Sequence, residues 1–270
     1  MISIIIAVYN QLPMNKIFLE YLERYTNSDY ELIIVDNGST DGSSEFFESR
    51  GAKVLKNNGN FSYPYSQNRG IEIAKGDIYM FLNNDIIVSP NWDKRLIEIL
   101  EKNELDIITS CGIEKLENIE VTNKFKRRWK TIKNIIGLFG YTEKNLRLMH
   151  KLMYINWEKF NDIRYDKYQN KVIEGFVGNT VIITKNGIEK IGLWDERIQA
   201  ADFDLYMRSK KRYFEVGDIK PVHIALGVFN HHYIRLTSKQ SYPEFVDKSN
   251  LISLEDKWGE KLIESYIENI

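Results

Sequence analysis

Short apolar segments alternate with helix-like stretches along the first 110 residues. The apolar segments cover residues 2–8, 30–35, 54–55, 78–82 and 105–110, and helical spacing of apolar residues covers 14–25, 43–50, 66–74 and 90–102. The first segment is a continuous β-branched run, as expected for a strand that is covered on both faces. Strands that alternate with helices predict an α/β fold with a mostly parallel sheet flanked by helices.

The pattern changes between residues 114 and 168. A basic run is interleaved there with apolar residues, and its cations are Lys124, Lys126, Arg127, Arg128, Lys130 and Lys133. One interpretation is a solvated helix face above the core. The other is a surface for an anionic membrane or a lipid-linked acceptor, with peripheral membrane contact through residues 124–133.

Strands and helices resume after residue 168. Apolar runs at 181–183 and 221–229 predict strands, and residues 185–191 and 202–211 predict helices. Residues 251–267 have the spacing of an amphipathic helix that closes the chain. The sequence therefore predicts a C-terminal helical extension after the main sheet.

Polar residues follow three of the predicted strands. They are Tyr9-Asn10, Asp36-Asn37 and Asn83-Asn84-Asp85. In open α/β sheets, ligands bind beyond the carboxyl ends of the strands, so these clusters mark a candidate ligand site. No G-x-G-x-x-G sequence follows the first strand, which disfavours a dinucleotide site of the Rossmann type.

Composition narrows the function classes. The formal net charge of -1 argues against nucleic acid as a partner, because such binding needs a strong positive field. The single cysteine, Cys111, excludes an internal disulfide and reads as a buried thiol. No run approaches the ~18 apolar residues of a membrane span. The first segment lacks the basic start of a signal peptide, so a cytoplasmic location is the default expectation.

Asp85 is the candidate metal ligand. A carboxylate at a strand end suits a hard divalent cation, which in turn neutralises the charge of a bound diphosphate. The same three residues, Asn83-Asn84-Asp85, also favour turns. Spacing alone leaves the ligand and turn interpretations both open.

Five segments taken together resemble a family 2 glycosyltransferase of the GT-A fold. They are ISIIIAVYN at 2–10, ELIIVDNGSTDGS at 31–43, NRGIEIAKG at 68–76, FLNNDIIV at 81–88 and GLWDERIQAADFDL at 192–205. The resemblance covers residues 1–215, which it implies are the catalytic domain. Within it, 1–110 would be the nucleotide-binding half, 114–168 a basic helical insertion and 169–215 the acceptor half. Residues 216–270 would add a strand and a helix that complete the site.

The resemblance implies a donor site for a nucleotide sugar. Val8, Tyr9 and Asn10 would line the base pocket. Asp36 would hydrogen-bond the base or ribose, which favours a UDP- or dTDP-sugar because a carboxylate suits an imide N–H. Arg69 would face the diphosphate. The alternatives are a turn residue for Asp36 and a surface arginine for Arg69.

Asn83-Asn84-Asp85 matches the family's D-x-D metal motif in an N-N-D variant. Asp85 would be the main ligand of Mn²⁺ or Mg²⁺, and Asn83 and Asn84 would contact ribose or sugar. A histidine after the 221–229 strand often completes such a site, and both His231 and His232 are candidates. Neighbouring residues on a strand point to opposite faces, so only one should enter; its spacing to Thr237 favours His232.

The resemblance also implies an inverting mechanism with a carboxylate base. The family's acidic pair falls on Ala201-Asp202, so Asp202 would deprotonate the acceptor hydroxyl. Ala201 departs from the family pattern and puts acceptor contacts in doubt. Asp202 and Asp204 lie about 200° apart on a helix, so they cannot both face the cleft. Helix capping is the alternative role for Asp202, and it is the role expected for Asp204.

The leading hypothesis is a hexosyl- or related transferase that acts on a glycan, lipid-linked or protein acceptor, as in polysaccharide biosynthesis. One alternative is a non-catalytic nucleotide-sugar binding module, which Ala201 makes possible. The other is a sugar nucleotidyltransferase, which usually carries a glycine-rich basic loop after its first strand. Residues 7–13 read AVYNQLP and speak against that loop.

Overall fold

The computed structural model describes residues 1–234, 236 and 242–267. Thr237, whose spacing favoured His232, lies outside the described residues.

The first half alternates strands and helices, as the sequence predicts. In order it contains β1 (Ile2–Val8), α1 (Leu12–Tyr25), β2 (Tyr30–Asp36), α2 (Ser43–Ser49), β3 (Lys53–Lys56), α3 (Tyr63–Ile73), β4 (Ile78–Leu82), β5 (Ile86–Ile87), α4 (Trp92–Lys102) and β6 (Ile107–Cys111). The helix predicted at 66–74 begins three residues earlier, where Pro64 occupies its first turn.

The second half begins with three helices, α5 (Ile119–Gly137), α6 (Glu143–Tyr154) and α7 (Trp157–Tyr168). It continues with β7 (Val172–Glu174), β8 (Thr180–Thr184), α8 (Lys185–Ile191), α9 (Ala201–Glu215), β9 (His223–Phe229), β10 (His231–His232), α10 (Leu254–Trp258) and α11 (Glu260–Ile267). The single helix predicted at 251–267 is wrong. Gly259, with φ 73°, separates two short helices because its left-handed backbone cannot continue an α-helix.

The main sheet has the strand order β3-β2-β1-β4-β8-β6-β9-β7. Strand β8 runs antiparallel to β4 and β6, and β7 runs antiparallel to β9, while the other pairings are parallel. The predicted α/β sheet, mixed but mostly parallel and flanked by helices, is confirmed. A second, two-stranded sheet pairs β10 with β5.

Helices cover both faces of the main sheet, which explains why β1 is a continuous apolar run. Ile4 and Ile6 pack with α1, α4 and α5–α7, whereas Ile5 packs on the opposite face with α3 and α9. The segment 114–168 therefore adds three helices to one face of the same core. Among the described residues, no helix is long and apolar enough to cross a membrane.

Candidate active site

A cavity of about 350 Å³ opens at the carboxyl ends of β1 and β2. Val8 and Tyr9 line it from β1, and Asn84 lines it from the loop after β4. Its remaining wall is aromatic and comes largely from Phe61, Tyr63 and residues 242–245. Flat aromatic surfaces beside amide groups suit a nucleoside, which offers both a ring to stack and polar edges to bind. We call it the nucleoside cavity.

Asn10 ties the cavity's loops together. Its backbone is left-handed, with φ 56°, a conformation that asparagine tolerates better than most residues. Its side-chain carbonyl accepts from Thr40 N at 2.8 Å, and its own N–H donates to Ser39 Oγ at 2.7 Å. Asn10 therefore joins the end of β1 to the loop after β2, and it is not among the residues that line the cavity.

Of the Asp36-Asn37 cluster predicted at the end of β2, Asn37 lines the cavity and Asp36 does not. The Asp36 carboxylate is buried and accepts from Ser39 N at 3.2 Å, which stabilises the turn. Asn37 lies one residue beyond the strand and lines the cavity, and its amide donates to Phe61 O at 3.2 Å. The prediction that Asp36 binds the base is therefore not supported by this geometry.

Arg69 lies behind the cavity rather than on its wall. Its guanidinium donates to the side chain of Asn57, and Asn57 donates in turn to Asn37 Oδ1 at 2.7 Å. The arginine thus connects α3 to the residue that lines the nucleoside cavity. Within the described residues, the structure does not bring Arg69 to either cavity of the cleft.

A second cavity, of about 210 Å³, adjoins the first. Tyr63 and Gln199 line both cavities, so the two share a wall. Asn83 and Asn84 point to different sides: Asn83 lines the second cavity, whereas Asn84 lines the first. Asp202 lines the second cavity, which we call the acceptor cavity because the sequence resemblance implies that Asp202 acts on the acceptor.

Asp85 and His232 meet beside these cavities. The short β5–β10 ladder pairs His232 with Ile86, which places the imidazole next to Asp85. His232 Nε2 lies 3.0 Å from Asp85 Oδ1, and His232 Nδ1 hydrogen-bonds Glu114. Burial lowers the pKa of His232, but the carboxylates of Asp85 and Glu114 raise it well above its usual range.

The pair formed by Asp85 and His232 fits a divalent cation that takes the place of the proton on His232 Nε2, because only the neutral ring can bind a metal. A carboxylate oxygen and a ring nitrogen converge, and a second carboxylate fixes the ring through its other nitrogen, as in many metal sites. Glu114, near the end of β6, was missed by sequence reasoning because no motif marks it. Among the described residues, no three His, Cys, Asp or Glu side chains converge on one point.

His231 points the other way, as strand alternation requires. Its ring is fully buried, its Nδ1 lies 2.9 Å from the Tyr154 hydroxyl, and its centroid lies 4.5 Å from the Trp129 ring. Burial, with neighbouring His150 and His232, holds the pKa of His231 well below its usual range. The prediction that His231 binds the metal is therefore wrong for this geometry, because its ring packs among aromatic residues of α5 and α6 and points away from Asp85.

Asp202 lies in the first turn of α9 and lines the acceptor cavity. Its Oδ1 accepts from Phe203 N at 3.0 Å. A Cβ at Gly178 would lie 2.3 Å from Asp202 Oδ2, so glycine is needed for this close approach. Burial raises the pKa of Asp202, and the charge of Glu114 raises it further, although backbone hydrogen bonds lower it.

Asp204 faces away from the cleft, as the helical spacing predicts. It does not cap α9, whose cap residue is Ala200. Its buried carboxylate instead accepts from Arg208 Nε at 2.8 Å, Lys257 Nζ at 2.6 Å and Trp258 Nε1 at 2.8 Å. Asp204 therefore holds the C-terminal helices against α9.

Comparisons with known proteins place the chain among glycosyltransferases. The family model "Glycosyl transferase family 2" matches residues 3–190. The chain is 35% identical over 119 residues to uncharacterized glycosyltransferase EpsJ of Bacillus subtilis (43% of this chain, 34% of the relative). It is 27% identical over 226 residues to uncharacterized glycosyltransferase RT0329 of Rickettsia typhi (80% and 61%). The chain thus spans less than two thirds of the length of these relatives.

Solved structures share the fold at low sequence identity. Staphylococcus aureus TarS 1–349 superposes with a TM-score of 0.51 at 12% identity, covering 86% of this chain and 60% of TarS. The Pyrobaculum calidifontis mannosyltransferase PcManGT, solved with GDP-Man and Mn²⁺, gives 0.51 at 13% identity (83% and 56%). GalNAc-T7, solved with UDP, GalNAc and Mn²⁺, gives 0.60 at 13% identity (90% and 45%).

Proposed function

The chain belongs to glycosyl transferase family 2, and from this premise we propose that it is an inverting glycosyltransferase that uses a nucleoside-diphosphate sugar. Its fold is GT-A, as the sequence resemblance predicted. The observation that carries the proposal is the wall that the two cavities share through Tyr63 and Gln199. A donor whose nucleoside fills the first cavity would present its sugar to Asp202 in the second.

Asp85 and His232 would hold a divalent cation, Mn²⁺ or Mg²⁺, against the donor diphosphate. Their carboxylate and imidazole groups suit such a cation, and the diphosphate oxygens would supply further ligands. The cation would supply positive charge to the diphosphate as it leaves. Two relatives in fold, PcManGT and GalNAc-T7, were solved with Mn²⁺.

Asp202 would act as the base. The acceptor oxygen attacks the anomeric carbon, the bond from that carbon to the diphosphate breaks, and the hydroxyl proton passes to Asp202. The half-buried position of Asp202 raises its pKa, which makes its carboxylate a stronger base than a fully exposed aspartate. The buried Asp204, bound to Arg208 and Lys257, is not available for this step.

The proposal does not specify the nucleobase of the sugar donor. The preference for a UDP- or dTDP-sugar rested on Asp36, whose carboxylate stabilises a turn instead. The acceptor remains a glycan, lipid-linked or protein hydroxyl. The nucleotidyltransferase alternative finds no support in a loop after β1 that carries Asn10 and Gln11 in place of glycine-rich basic residues.

The test is a screen of nucleotide sugars for thermal stabilisation and for Mn²⁺-dependent hydrolysis, with Asp202→Asn beside the wild type. We expect the same stabilisation by the donor in both proteins, and a loss of turnover of about 10²- to 10⁴-fold in the variant. Asp166→Asn, an exposed aspartate on α7, is the matched control. Wild-type turnover in Asp202→Asn would refute the base assignment.

The product distinguishes the alternatives. An inverting transferase releases a nucleoside diphosphate and a sugar of opposite anomeric configuration, which can be followed by NMR. Release of pyrophosphate from a sugar phosphate and a nucleoside triphosphate would indicate a nucleotidyltransferase. Donor stabilisation without turnover in the wild type, under every metal and donor tested, would indicate a binding module.

A further inference from the structure

Helix α6 has two apolar faces, and only one of them packs into the core. The inner face carries Leu146, Met149 and Met153, which are buried. The outer face carries Leu148 and Leu152 one turn apart, Ile155 follows directly where the helix ends after Tyr154, and all three residues of this apolar stripe are exposed. An apolar stripe that does not pack against the fold is a candidate contact for something outside it.

The stripe is part of a wider surface. Its apolar members are Leu138, Phe139, Leu148, Leu152 and Ile155, and its exposed cations are Lys124, Arg128, Lys144 and Lys151. Arg128 Nη2 donates to Leu152 O at 2.8 Å, which joins the cations of α5 to the stripe of α6. Asn145 Nδ2 donates to Phe139 O at 3.0 Å, which joins the α5–α6 turn to the same helix. We call this the outer surface of α5–α6.

The most exposed members of this surface contribute little to the fold. Ile155, Leu138 and Phe139 are 85%, 83% and 74% exposed. Ile155 also has φ 56°, a left-handed backbone that is strained for a β-branched residue and would suit asparagine or glycine better. An isoleucine at this position therefore costs stability in the isolated chain without burying its side chain.

We propose that the outer surface of α5–α6 docks onto an anionic lipid bilayer. Apolar side chains that project beside exposed lysines and arginines match the boundary between lipid tails and anionic headgroups. The four cations named above form no ion pair with any residue that the structure describes. This docking does not depend on the proposed sugar transfer.

Two other partners fit the surface less well. A symmetric contact with a second copy would place Lys144 and Lys151 against the same cations of its partner, which like charges disfavour. Nucleic acid would satisfy the cations but would leave Leu148, Leu152 and Ile155 against polar phosphates. An anionic bilayer is the partner that fits both the apolar residues and the cations of this surface.

Docking here would also orient the candidate active site. Trp129 of α5 and Tyr154 of α6 contact His231 on their inner sides, one residue from His232. The outer surface therefore belongs to the same two helices that support β10. A protein bound through it would therefore have a fixed orientation of β10, and of the candidate metal site, relative to the bilayer.

The experiment is co-sedimentation of the full chain with phosphatidylcholine vesicles, with and without phosphatidylglycerol. Two variants test the two components: Lys124→Glu/Lys144→Glu/Lys151→Glu for charge, and Leu148→Ser/Leu152→Ser/Ile155→Ser for the apolar stripe. The control is Lys185→Glu/Lys211→Glu/Lys261→Glu with Phe214→Ser, all exposed residues of α8, α9 and α11 on the opposite face of the sheet.

We expect binding to anionic vesicles only, weakened by salt, and weakened on the order of 100-fold by the charge variant. The apolar variant should also lose most binding, and the control should bind like the wild type. All the substituted residues are exposed, so circular dichroism should show an unchanged fold. Absence of lipid binding, or equal loss in the control, would overturn the proposal.

Two further outcomes would also overturn it. If the charge variant lost binding while the apolar variant kept it, the surface would be purely electrostatic. If light scattering showed a wild-type dimer that the apolar variant dissociated, the occupant would be a second copy.

Discussion

Two carboxylates of the candidate site are held in contrasting ways. Asp85, on the proposed donor side, lies 3.0 Å from a histidine that is itself hydrogen-bonded to Glu114. Burial raises the pKa of Asp202, on the proposed acceptor side, although its carboxylate accepts a hydrogen bond from Phe203 N. The same side chain thus stands in two settings: Asp85 lies against an imidazole that a second carboxylate also holds, whereas burial raises the pKa of Asp202.

The largest effect expected on the donor side comes from Asp85→Ala. Mutation of a residue that hydrogen-bonds a metal ligand typically lowers metal affinity about 10- to 100-fold. Removal of the ligand itself should therefore lower metal affinity about 100-fold or more. We expect Mn²⁺-dependent binding of a nucleoside diphosphate to be lost, while metal-free binding is kept. Calorimetry with and without Mn²⁺ measures both, with Asp166→Ala as the control. An unchanged metal titration would remove Asp85 from the site.

On the acceptor side, Gly178→Ala tests the close packing around the base. The new Cβ would meet Asp202 Oδ2 at 2.3 Å, so the carboxylate must move. Because displacement of a reacting group by about 1 Å can cost on the order of 100-fold, kcat should fall by about that factor. Donor affinity should stay the same, since Gly178 lines only the acceptor cavity.

The control for this variant is Gly137→Ala, at the end of α5. There the new Cβ meets only the far end of the Tyr141 side chain, which can shift. Comparable loss of kcat in both variants would mean that general destabilisation, not the position of Asp202, explains the effect. Wild-type kcat in Gly178→Ala would contradict the close approach.

Glu114 connects the two sides of the cleft, and Glu114→Gln should change both. The amide orients His232 less firmly than a carboxylate, so we expect Mn²⁺ affinity to fall about 10- to 100-fold. The negative charge of Glu114 in the wild type also raises the pKa of Asp202. With Asp202 as the proposed base, activity would require its ionised carboxylate and would be lost as the pH falls through that pKa. The variant should therefore keep activity to a lower pH than the wild type.

The readouts for Glu114→Gln are Mn²⁺ affinity and the acid limb of the pH–rate profile at saturating metal. Glu117→Gln is a control at a neighbouring glutamate. Glu117 pairs with Arg164, whereas Glu114 pairs with His232. A weakened metal site with an unmoved acid limb would mean that Glu114 acts on the donor side alone.

The sequence predicted the helices and strands whose pattern of apolar residues extends over many consecutive positions. The continuous apolar run of β1 and the 3.6-residue spacing of α1 and α4 needed no tertiary information. Strands β5 and β10 have two residues each, so no periodicity could reveal them. Yet their pairing is what brings His232 to Asp85.

The motifs predicted where the candidate site lies in the fold, but they did not predict which side chains face the cavities. Asp36 and Asn37 are adjacent, and only the end of β2 decides which of them lines the cavity. Glu114 and residues 242–245 lie far along the chain from the motifs and reach the cleft through tertiary packing alone. Alternation on a strand separated His231 from His232 correctly, because that rule depends on geometry and not on context.

The smallest expected effect concerns the wall of the nucleoside cavity that residues 242–245 form. This wall is not part of the main sheet. Residues 242–247 are attached by a few contacts: Asp247 accepts from Ser62 N at 3.0 Å and from Ser62 Oγ at 2.5 Å, and Asn60 Nδ2 donates to Pro243 O at 2.8 Å. The Tyr242 ring lies 5.0 Å from that of Tyr9. Asp247→Ala removes two of these hydrogen bonds and should loosen the wall.

We expect Asp247→Ala to raise the Kd for a nucleoside diphosphate about fivefold, the equivalent of about 1 kcal/mol for a partly exposed pair of hydrogen bonds. Metal affinity and the acid limb of the rate profile should not change, because Asp85, Glu114 and Asp202 do not line the nucleoside cavity. Glu260→Ala, in an exposed turn of α11, is the control. An unchanged Kd would mean that the nucleoside is held by the strand ends alone. A changed acid limb would mean that this wall also positions Asp202.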